Sequence, residues 1–297
     1  MAKVASFRSP ELQRAYLAAY DEALLSSPVT IAETDIETPY GATHVLTAGE
    51  PGHPVLVALH GKALSSTMWL AHLDTLTDGH RVFLVDTIGD MNKSRPSRVV
   101  RNRTEAIDWL DAVLDGLDIA ETALLGHSYG AWLAATYGMA RADRVNRLVL
   151  LSPAGVFLPA RPAWVARAIY THMVRPRRSV AERFIATTYT PETAARLPER
   201  SFGRVIEQYL VGVPGFRGSI GDARPTTYSK DDLSKLTMPV LVVIGTDESV
   251  CDGPRSANVA RERMPFAQVE LIDDANHCIT ADQQERLDDL LHAFLAS

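Results

Sequence analysis

The residues with the clearest chemical signature form a Gly-x-Ser-x-Gly pentapeptide over residues 126–130, with Ser128 at its centre. The four residues before it, Thr122 to Leu125, are typical of a short buried strand. The residues from Ala131 onward are small or apolar and are typical of the first turns of a helix. A serine on such a sharp strand-to-helix turn has a strained backbone and presents its hydroxyl above the sheet. The pattern therefore predicts that Ser128 is a nucleophile.

A serine hydroxyl needs a base to remove its proton and an acid to orient that base. After a strand–serine–helix turn of this kind, the acid comes first along the chain and the histidine second. Each lies on a loop at the carboxyl end of a strand. His277 follows the last predicted strand, residues 269–272, and is the only histidine beyond the serine in such a position. His172 falls in a helical region and His292 on the final helix, whereas His127 is expected to pack or to form hydrogen bonds. We therefore predict that His277 is the base.

Three carboxylates follow the strand at residues 240–244 and are candidates for the acid. Asp247 and Glu248 are neighbours at the strand end, and Asp252 lies a little further along. Asp247 and Glu248 cannot both point at the imidazole, because adjacent side chains leaving a strand diverge to opposite sides. Asp86 also ends a strand, but it precedes the serine, so a loop-capping role is expected for it.

Two backbone N–H groups are expected to stabilise the oxyanion that forms when a serine attacks an acyl carbon. One belongs to Tyr129, the residue after the serine. The other is expected in the turn His60-Gly61-Lys62-Ala63, which follows the predicted strand at residues 55–59. Lys62 is the first choice for this donor and Ala63 the second.

The elements that position these residues alternate between strand and helix. A hairpin is predicted over residues 30–47, a helix capped by Thr104 over 104–117 and a final helix over 282–295. Strands are predicted at residues 55–59, 82–85, 122–125, 148–151, 240–244 and 269–272. The first of them is continuously apolar, which is typical of a strand covered on both faces. This alternation predicts an α/β fold with a mostly parallel sheet flanked by helices.

The alternation stops between residues 156 and 228, where seven prolines separate short helical segments. Residues 156–229 contain 11 Arg, no Lys, 4 Glu and 1 Asp, a net charge of +6, so that the remainder of this −6 chain carries −12. We predict a helical lid inserted at 156–228, with Phe157 and Trp164 lining the substrate pocket. The core would comprise residues 28–155 and 229–297, preceded by a helical extension over residues 1–27.

The composition narrows the class of protein. The 297 residues include 22% charged side chains, a value typical of soluble globular proteins, and no run has the length of a membrane-spanning helix. A cytoplasmic location is expected. Cys251 and Cys278 are expected to be free thiols, and the nine histidines form no metal-binding motif, so no metal is expected. The net charge of −6 argues against nucleic acid as a partner.

Together these segments resemble the α/β-hydrolase superfamily over about residues 28 to 297. The matching segments are His60-Gly61, residues 86–90, the serine pentapeptide, Ser152-Pro153, Gly245 with its acids, and Asn276-His277. Residues 65–69 and 89–94 also resemble a bacterial carboxylesterase-type subgroup, in which the glycine of the acid strand is followed by two residues and then a carboxylate. Carried onto this chain, that spacing implies Glu248 as the acid, with Asp247 as the alternative.

The resemblance implies a serine hydrolase of the carboxylesterase type (EC 3.1.1) that needs no cofactor. We predict that it cleaves a carboxylic ester or thioester of a small molecule through an acyl-enzyme on Ser128. An acyltransferase, a hydrolase or lyase acting on carbon–carbon bonds, and a non-catalytic ligand receptor are the alternatives, since this fold hosts many reactions. No nucleic-acid or membrane partner is expected, and a homodimer is left open.

Overall fold

The strands follow the apolar segments of the sequence. A computed structural model describes residues 4–196, 202–218 and 223–296. The strands within these residues are β1 (Ser6–Phe7), β2 (Ala32–Thr38), β3 (Gly41–Ala48), β4 (Val55–Leu59), β5 (Arg81–Val85), β6 (Arg95–Pro96), β7 (Thr122–His127), β8 (Val145–Leu151), β9 (Phe216–Arg217), β10 (Val240–Gly245) and β11 (Gln268–Ile272). The predicted hairpin is β2 and β3, and the other six predicted strands are β4, β5, β7, β8, β10 and β11, so these predictions are confirmed.

Nine of the described strands form one sheet. Eight lie side by side in the order β11-β10-β8-β7-β4-β5-β3-β2. The short strand β6 pairs with the first two residues of β3. The pairs from β11 to β5 are parallel, whereas β3 is antiparallel to both β5 and β2. The predicted mostly parallel sheet is confirmed, and the carboxyl ends of its parallel strands meet at one edge, where such folds bind ligands.

The helices connect successive strands and cover both faces of the sheet. They are α1 (Pro10–Leu24), α2 (Leu73–Thr77), α3 (Arg103–Gly116), α4 (Tyr129–Ala140), α5 (Pro162–Ile169), α6 (Arg178–Ile185), α7 (Pro191–Arg196), α8 (Phe202–Gly215), α9 (Lys230–Leu233), α10 (Gly253–Arg263), α11 (Ile279–Asp282) and α12 (Gln284–Leu295). Three short 3₁₀ segments (Ser66–His72, Ala142–Arg144, Ala186–Thr188) and one π-helical turn (Tyr170–Val174) complete them. No helix in the described part of the chain is long and apolar enough to cross a membrane.

Two hydrophobic cores lie on the two faces of the sheet. Alternate residues of β4 divide between them: Leu56 and Ala58 belong to the first core, and Val57 and Leu59 to the second. The first core includes side chains from α1, α6, α8 and α12, and the second from α3, α4 and α10. Because the central strands are covered on both sides, they contain continuous apolar runs, such as residues 55–59 of β4 and residues 148–151 of β8.

The structure defines the residues that cap the N-termini of α1 and α3. The Ser9 side chain caps α1 by accepting the Leu12 N–H, and serine is a residue type typical of this position. The prediction that Thr104 caps the next long helix was wrong, because the Asn102 side chain accepts the Glu105 N–H at 3.0 Å and α3 begins at Arg103. Asn102 has the extended backbone of a capping residue, whereas Thr104 already lies in the first helical turn.

The segment between β8 and β10 is mainly helical. We call α5, the π-helical turn, α6, α7 and α8 the cap helices. This segment also contains β9, which pairs with β1, and α8 packs against α1, so the chain's N-terminal helix lies against the cap helices. The sequence did not predict β9, because two residues carry no periodic signal. Residues 197–201, which include Pro198, and 219–222 belong to the predicted lid and lie outside the described residues.

Candidate active site

The serine turn has the strained geometry that its sequence predicts. Ser128 joins β7 directly to α4 with φ +54° and ψ −111°, and its N–H donates to the Leu151 carbonyl at 2.9 Å. A Cβ at Gly126 would lie 2.3 Å from the Gly130 carbonyl oxygen, and a Cβ at Gly130 would lie 2.2 Å from that of Leu59. Both glycines are therefore required for the close approach of strand and helix.

Ser128, His277 and Glu248 form one continuous chain of hydrogen bonds. His277 Nε2 lies 2.8 Å from Ser128 Oγ, and His277 Nδ1 lies 2.9 Å from each carboxylate oxygen of Glu248. All three residues are buried. A carboxylate can only accept, so Nδ1 carries the imidazole proton and Nε2 is left as the acceptor for the serine hydroxyl. This is the arrangement in which a histidine can remove the serine proton.

Of the three candidate acids, the structure brings only Glu248 to the histidine. Glu248 Oε1 also accepts the Val250 N–H at 2.7 Å, which fixes the carboxylate in its loop. Asp247 is exposed, and Asp252 caps α10 by accepting the Arg255 N–H at 3.0 Å. The two neighbouring side chains diverge as expected for residues at a strand end.

Asn276 holds the acid loop and the histidine loop together, a role that the sequence did not reveal. Its Oδ1 accepts the N–H groups of His277 at 2.7 Å and of Ser249 at 2.9 Å. Its Nδ2 donates to the carbonyls of Thr187 at 3.1 Å and of Tyr189 at 3.0 Å, just beyond α6. The side chain thereby connects the histidine to the cap helices. The only sequence signal was an amide, able to donate and accept at once, beside the histidine.

Asp282 extends this network from the end of α11. Its two carboxylate oxygens accept the N–H groups of Asn276 at 2.8 Å and of Thr190 at 3.0 Å. Burial raises the pKa of Asp282, while these hydrogen bonds favour its charged form. Asp282 therefore connects the backbone of Asn276, the residue before His277, to the backbone of Thr190.

Asp90 positions the turn that was predicted to hold the second oxyanion donor. Its carboxylate oxygens accept the Ala63 N–H at 3.1 Å and the Met91 N–H at 2.8 Å, and Lys62 Nζ lies 3.8 Å away. Because the Ala63 N–H is committed to this carboxylate, Ala63 is a poor second choice for the donor. Lys62 Nζ also lies 5.0 Å from the centroid of the Tyr129 ring, so the two residues predicted to donate are in contact.

Two buried polar residues fix the same turn to the end of β5. His60 Nδ1–H donates to the Gly61 carbonyl at 2.8 Å, and its Nε2 accepts the Thr87 N–H at 2.9 Å. The Asp86 carboxylate accepts the N–H groups of Ser66 at 2.8 Å and of Lys93 at 3.0 Å. The predicted loop-capping role of Asp86 is confirmed.

Residues 54–283 match the family model of the alpha/beta hydrolase fold. The chain belongs to this family. An uncharacterized carboxylesterase, nap, of Bacillus subtilis (strain 168) is 29% identical over 273 residues, which cover 90% of this chain and 88% of that protein. Carboxylesterase YbfK of the same organism is 25% identical over 295 residues, which cover 97% of this chain and 96% of that protein.

A solved structure agrees with these sequence matches. The crystal structure of naproxen esterase (carboxylesterase NP) from Bacillus subtilis superimposes with a TM-score of 0.87 and 26% identity, covering 97% of this chain and 99% of that one. The predicted fold and the predicted resemblance to bacterial carboxylesterases are confirmed. This member of the family is therefore an enzyme of the hydrolase class.

His127, the residue before Ser128, forms a hydrogen bond with the backbone of His277. Its Nε2–H donates to the His277 carbonyl at 2.9 Å, and the two imidazole rings lie 5.1 Å apart between centroids. Burial, with a smaller contribution from the neighbouring His277, lowers the pKa of His127 to about 3. The predicted hydrogen-bonding role is confirmed, and this imidazole is neutral in the folded enzyme near neutral pH.

His127 is expected to make stability depend on pH. Its pKa lies near 6.5 when unfolded and about 3 when folded, so between these values the unfolded chain binds the extra proton and stability falls as the pH falls. His127→Gln should therefore reduce the pH slope of the free energy of unfolding by up to about 1.4 kcal/mol per pH unit between pH 6 and pH 4.5. Urea denaturation at several pH values measures this slope. His53→Gln, at an exposed histidine, is the control, and a wild-type slope in His127→Gln would contradict the account.

Cys278, the other reactive group beside the catalytic candidates, is kept inert by its surroundings. Burial raises the pKa of its thiol to about 12. Its Sγ lies 3.4 Å from Thr188 Oγ1. Since the thiolate is the reactive form of cysteine, the Cys278 thiol is a poor nucleophile near neutral pH.

The two predicted pocket residues lie in different places. Trp164 on α5 faces the site, with its ring centroid 6.3 Å from that of His277 and 5.6 Å from that of Phe184. Phe157 is buried in the second core with Tyr228, on the other face of the sheet from Trp164. This burial argues against a contact between Phe157 and substrate. Sequence patterning identified both as apolar but could not say which core each one joins.

An additional pair of polar residues on the cap helices adjoins Phe184. Tyr209 O–H donates to His172 Nε2 at 3.1 Å, and His172 Nδ1–H donates to the Ala168 carbonyl at 2.8 Å. The His172 and Phe184 rings lie 5.5 Å apart between centroids. Burial lowers the pKa of His172, so this group adds neutral aromatic rings behind Phe184.

Proposed function

We propose that this chain is a serine esterase that cleaves a carboxylic ester or thioester through an acyl-enzyme on Ser128. The observation that carries the proposal is the unbroken hydrogen-bonded chain from Ser128 Oγ through His277 to the Glu248 carboxylate. Each atom in it has the protonation that nucleophilic catalysis requires: a hydroxyl, an accepting Nε2, a donating Nδ1 and a carboxylate.

In the first half of the reaction, His277 Nε2 takes the hydroxyl proton while Ser128 Oγ attacks the acyl carbon. The resulting imidazolium is stabilised by the charge of Glu248 and passes its proton to the leaving alkoxide or thiolate. In the second half, Nε2 deprotonates a water molecule that attacks the acyl-enzyme, and the proton returns to Ser128 Oγ as the acid leaves. The proton balance closes within the site.

We assign stabilisation of the oxyanion to the backbone N–H groups of Tyr129 and Lys62. Tyr129 begins α4, where the partial positive charge of the helix N-terminus adds to the field. Lys62 precedes Ala63, whose positive φ of +63° and bond to Asp90 hold the turn in a fixed conformation. A donor fixed in place before the charge develops costs no reorganisation during the reaction.

The names of the similar proteins and the aromatic residues beside His277 favour apolar carboxylic esters as the first substrates to test. Both similar Bacillus proteins are carboxylesterases by name, and the similar solved structure is a naproxen esterase. Trp164 and Phe184 offer an aromatic surface beside His277. Arg178, one of the cap arginines, is bound to Glu207 in two hydrogen bonds of 2.7 and 2.5 Å, which argues against its use for anionic substrates.

We further propose that residues 156–228 act as a lid over the site, since Trp164 and the Asn276 contacts connect the cap helices to His277. The boundaries of this lid, of the core and of the N-terminal extension remain predictions. A cytoplasmic location and a homodimer also remain predictions.

Turnover of p-nitrophenyl esters and matched thioesters of two to eight acyl carbons tests the proposed function. We expect release of the free acid, with faster turnover of the more apolar esters, and the same product when glycerol or methanol is added at moderate concentration. An acylated alcohol as the main product would favour the acyltransferase alternative. Tight binding of esters without turnover would favour a ligand receptor and contradict the proposal.

A further inference from the structure

The outer surface of the cap helices carries a concentrated group of exposed apolar side chains. The described residues include seven large apolar side chains that are well exposed, and five of them lie between residues 165 and 174. We call these five the cap stripe: Val165 (38% exposed), Ile169 (48%), Tyr170 (43%), Met173 (67%) and Val174 (67%). Isolated exposed apolar residues are ordinary on protein surfaces, whereas a contiguous group marks an interaction site.

The opposite side of the same segment is held firmly against the enzyme. Trp164 packs against Phe184 and His277, and His172 bonds to Tyr209. The helical phase that directs these residues inward directs the cap stripe outward. The cap stripe therefore lies on the outer side of a segment whose inner side contacts His277 through Trp164.

The segment that carries the cap stripe is rich in positive charge. Residues 156–181 contain five arginines and neither Asp nor Glu. Arg167, Arg175 and Arg177 are exposed, and no ion pair in the described part of the chain involves any of them. Arg161 and Arg178, by contrast, are bound within the protein. The three exposed arginines are available to an anionic partner.

We propose that the cap stripe and Arg167, Arg175 and Arg177 dock this enzyme on the surface of an anionic phospholipid bilayer. Apolar side chains would enter the boundary between head groups and acyl chains, and the arginines would contact the lipid phosphates. A second copy of this chain fits less well, because a two-fold contact through the stripe would bring the same arginines against each other. The inference revises the expectation that this protein has no membrane partner.

Docking in this orientation would bring the cap helices between the bilayer and the serine. An apolar ester dissolved in the lipid would then enter beside Trp164, which lies against both the cap and His277. Only this consequence rests on the proposed esterase function. The docking itself is measurable without any substrate.

Co-sedimentation with vesicles of phosphatidylglycerol and phosphatidylcholine, against vesicles of phosphatidylcholine alone, tests the docking. Two double variants probe its two components: Met173→Ser with Val174→Ser, and Arg175→Gln with Arg177→Gln. Each has a matched control elsewhere on the surface. Leu25→Ser with Phe266→Ser removes exposed apolar residues, and Arg255→Gln with Arg286→Gln removes the same charge.

We expect binding to the anionic vesicles that weakens at high salt, and a loss of roughly tenfold or more in each cap variant. The control variants should bind like the wild type, and all variants should hydrolyse a soluble ester normally. Absence of vesicle binding, or an equal loss in the controls, would overturn the proposal. A dimer in analytical ultracentrifugation that the Met173 and Val174 variant abolishes, without vesicle binding, would assign the stripe to a second copy instead.

Discussion

Ser128→Ala is expected to lower kcat for ester hydrolysis by about 10³-fold or more while the protein stays folded. The loss follows because no other side chain supplies a nucleophile to the acyl carbon, whereas binding and the oxyanion donors are retained. Steady-state kinetics with an aryl ester measures it, and circular dichroism checks the fold. Alanine can adopt the backbone conformation of Ser128, since Ala63 already has a similar positive φ in this protein.

Ser152→Ala is the matched control for this variant. Ser152 is also buried, also follows a central strand and also has a positive φ, of +42°. It is expected to retain kcat within a few-fold, because none of its described contacts belongs to the hydrogen-bonded chain. Undiminished hydrolysis by Ser128→Ala would remove the serine from the mechanism, whatever the control showed.

Glu248→Gln is expected to lower kcat by about 10²- to 10⁴-fold. Glutamine keeps the size of the side chain and can still accept from His277 Nδ1, but it removes the negative charge that stabilises the imidazolium. Asp247→Asn is the matched control, one residue earlier on the same loop and exposed to solvent. It should change kcat only a few-fold. Kinetics of both variants on one ester decides the assignment, and the reverse ranking would move the acid to Asp247.

The parts of the fold that local sequence determines were predicted, and those that depend on distant partners were not. Buried parallel strands must be apolar on both faces, so β4, β7 and β10 were visible as continuous apolar segments. The ladder between β1 and β9 was not visible, since each strand has two residues and its partner is some 200 positions away in sequence. The cap of α3 was misassigned because Asn102 and Thr104 are both capping types, and only the backbone distinguishes them.

The candidate site shows the same division. Ser128 and His277 were predicted because the carboxyl ends of parallel strands meet at one edge, so position along the chain restricts the candidates. Residue type and spacing narrowed the candidates for the acid, and in the structure Glu248 lies within hydrogen-bond distance of His277 whereas Asp247 is exposed. The network of Asn276 with Thr187 and Tyr189 joins segments about 90 residues apart, and no local pattern contains that information.

The most direct test of the central claim is mass spectrometric mapping of the enzyme after treatment with a fluorophosphonate probe. Such probes form a stable adduct with a serine that is activated by a base and faces an oxyanion hole. The account predicts one adduct per chain, located on the peptide that contains Ser128, and none on the Ser128→Ala variant. An adduct on a different serine, or no adduct on an enzyme that hydrolyses esters, would contradict the account.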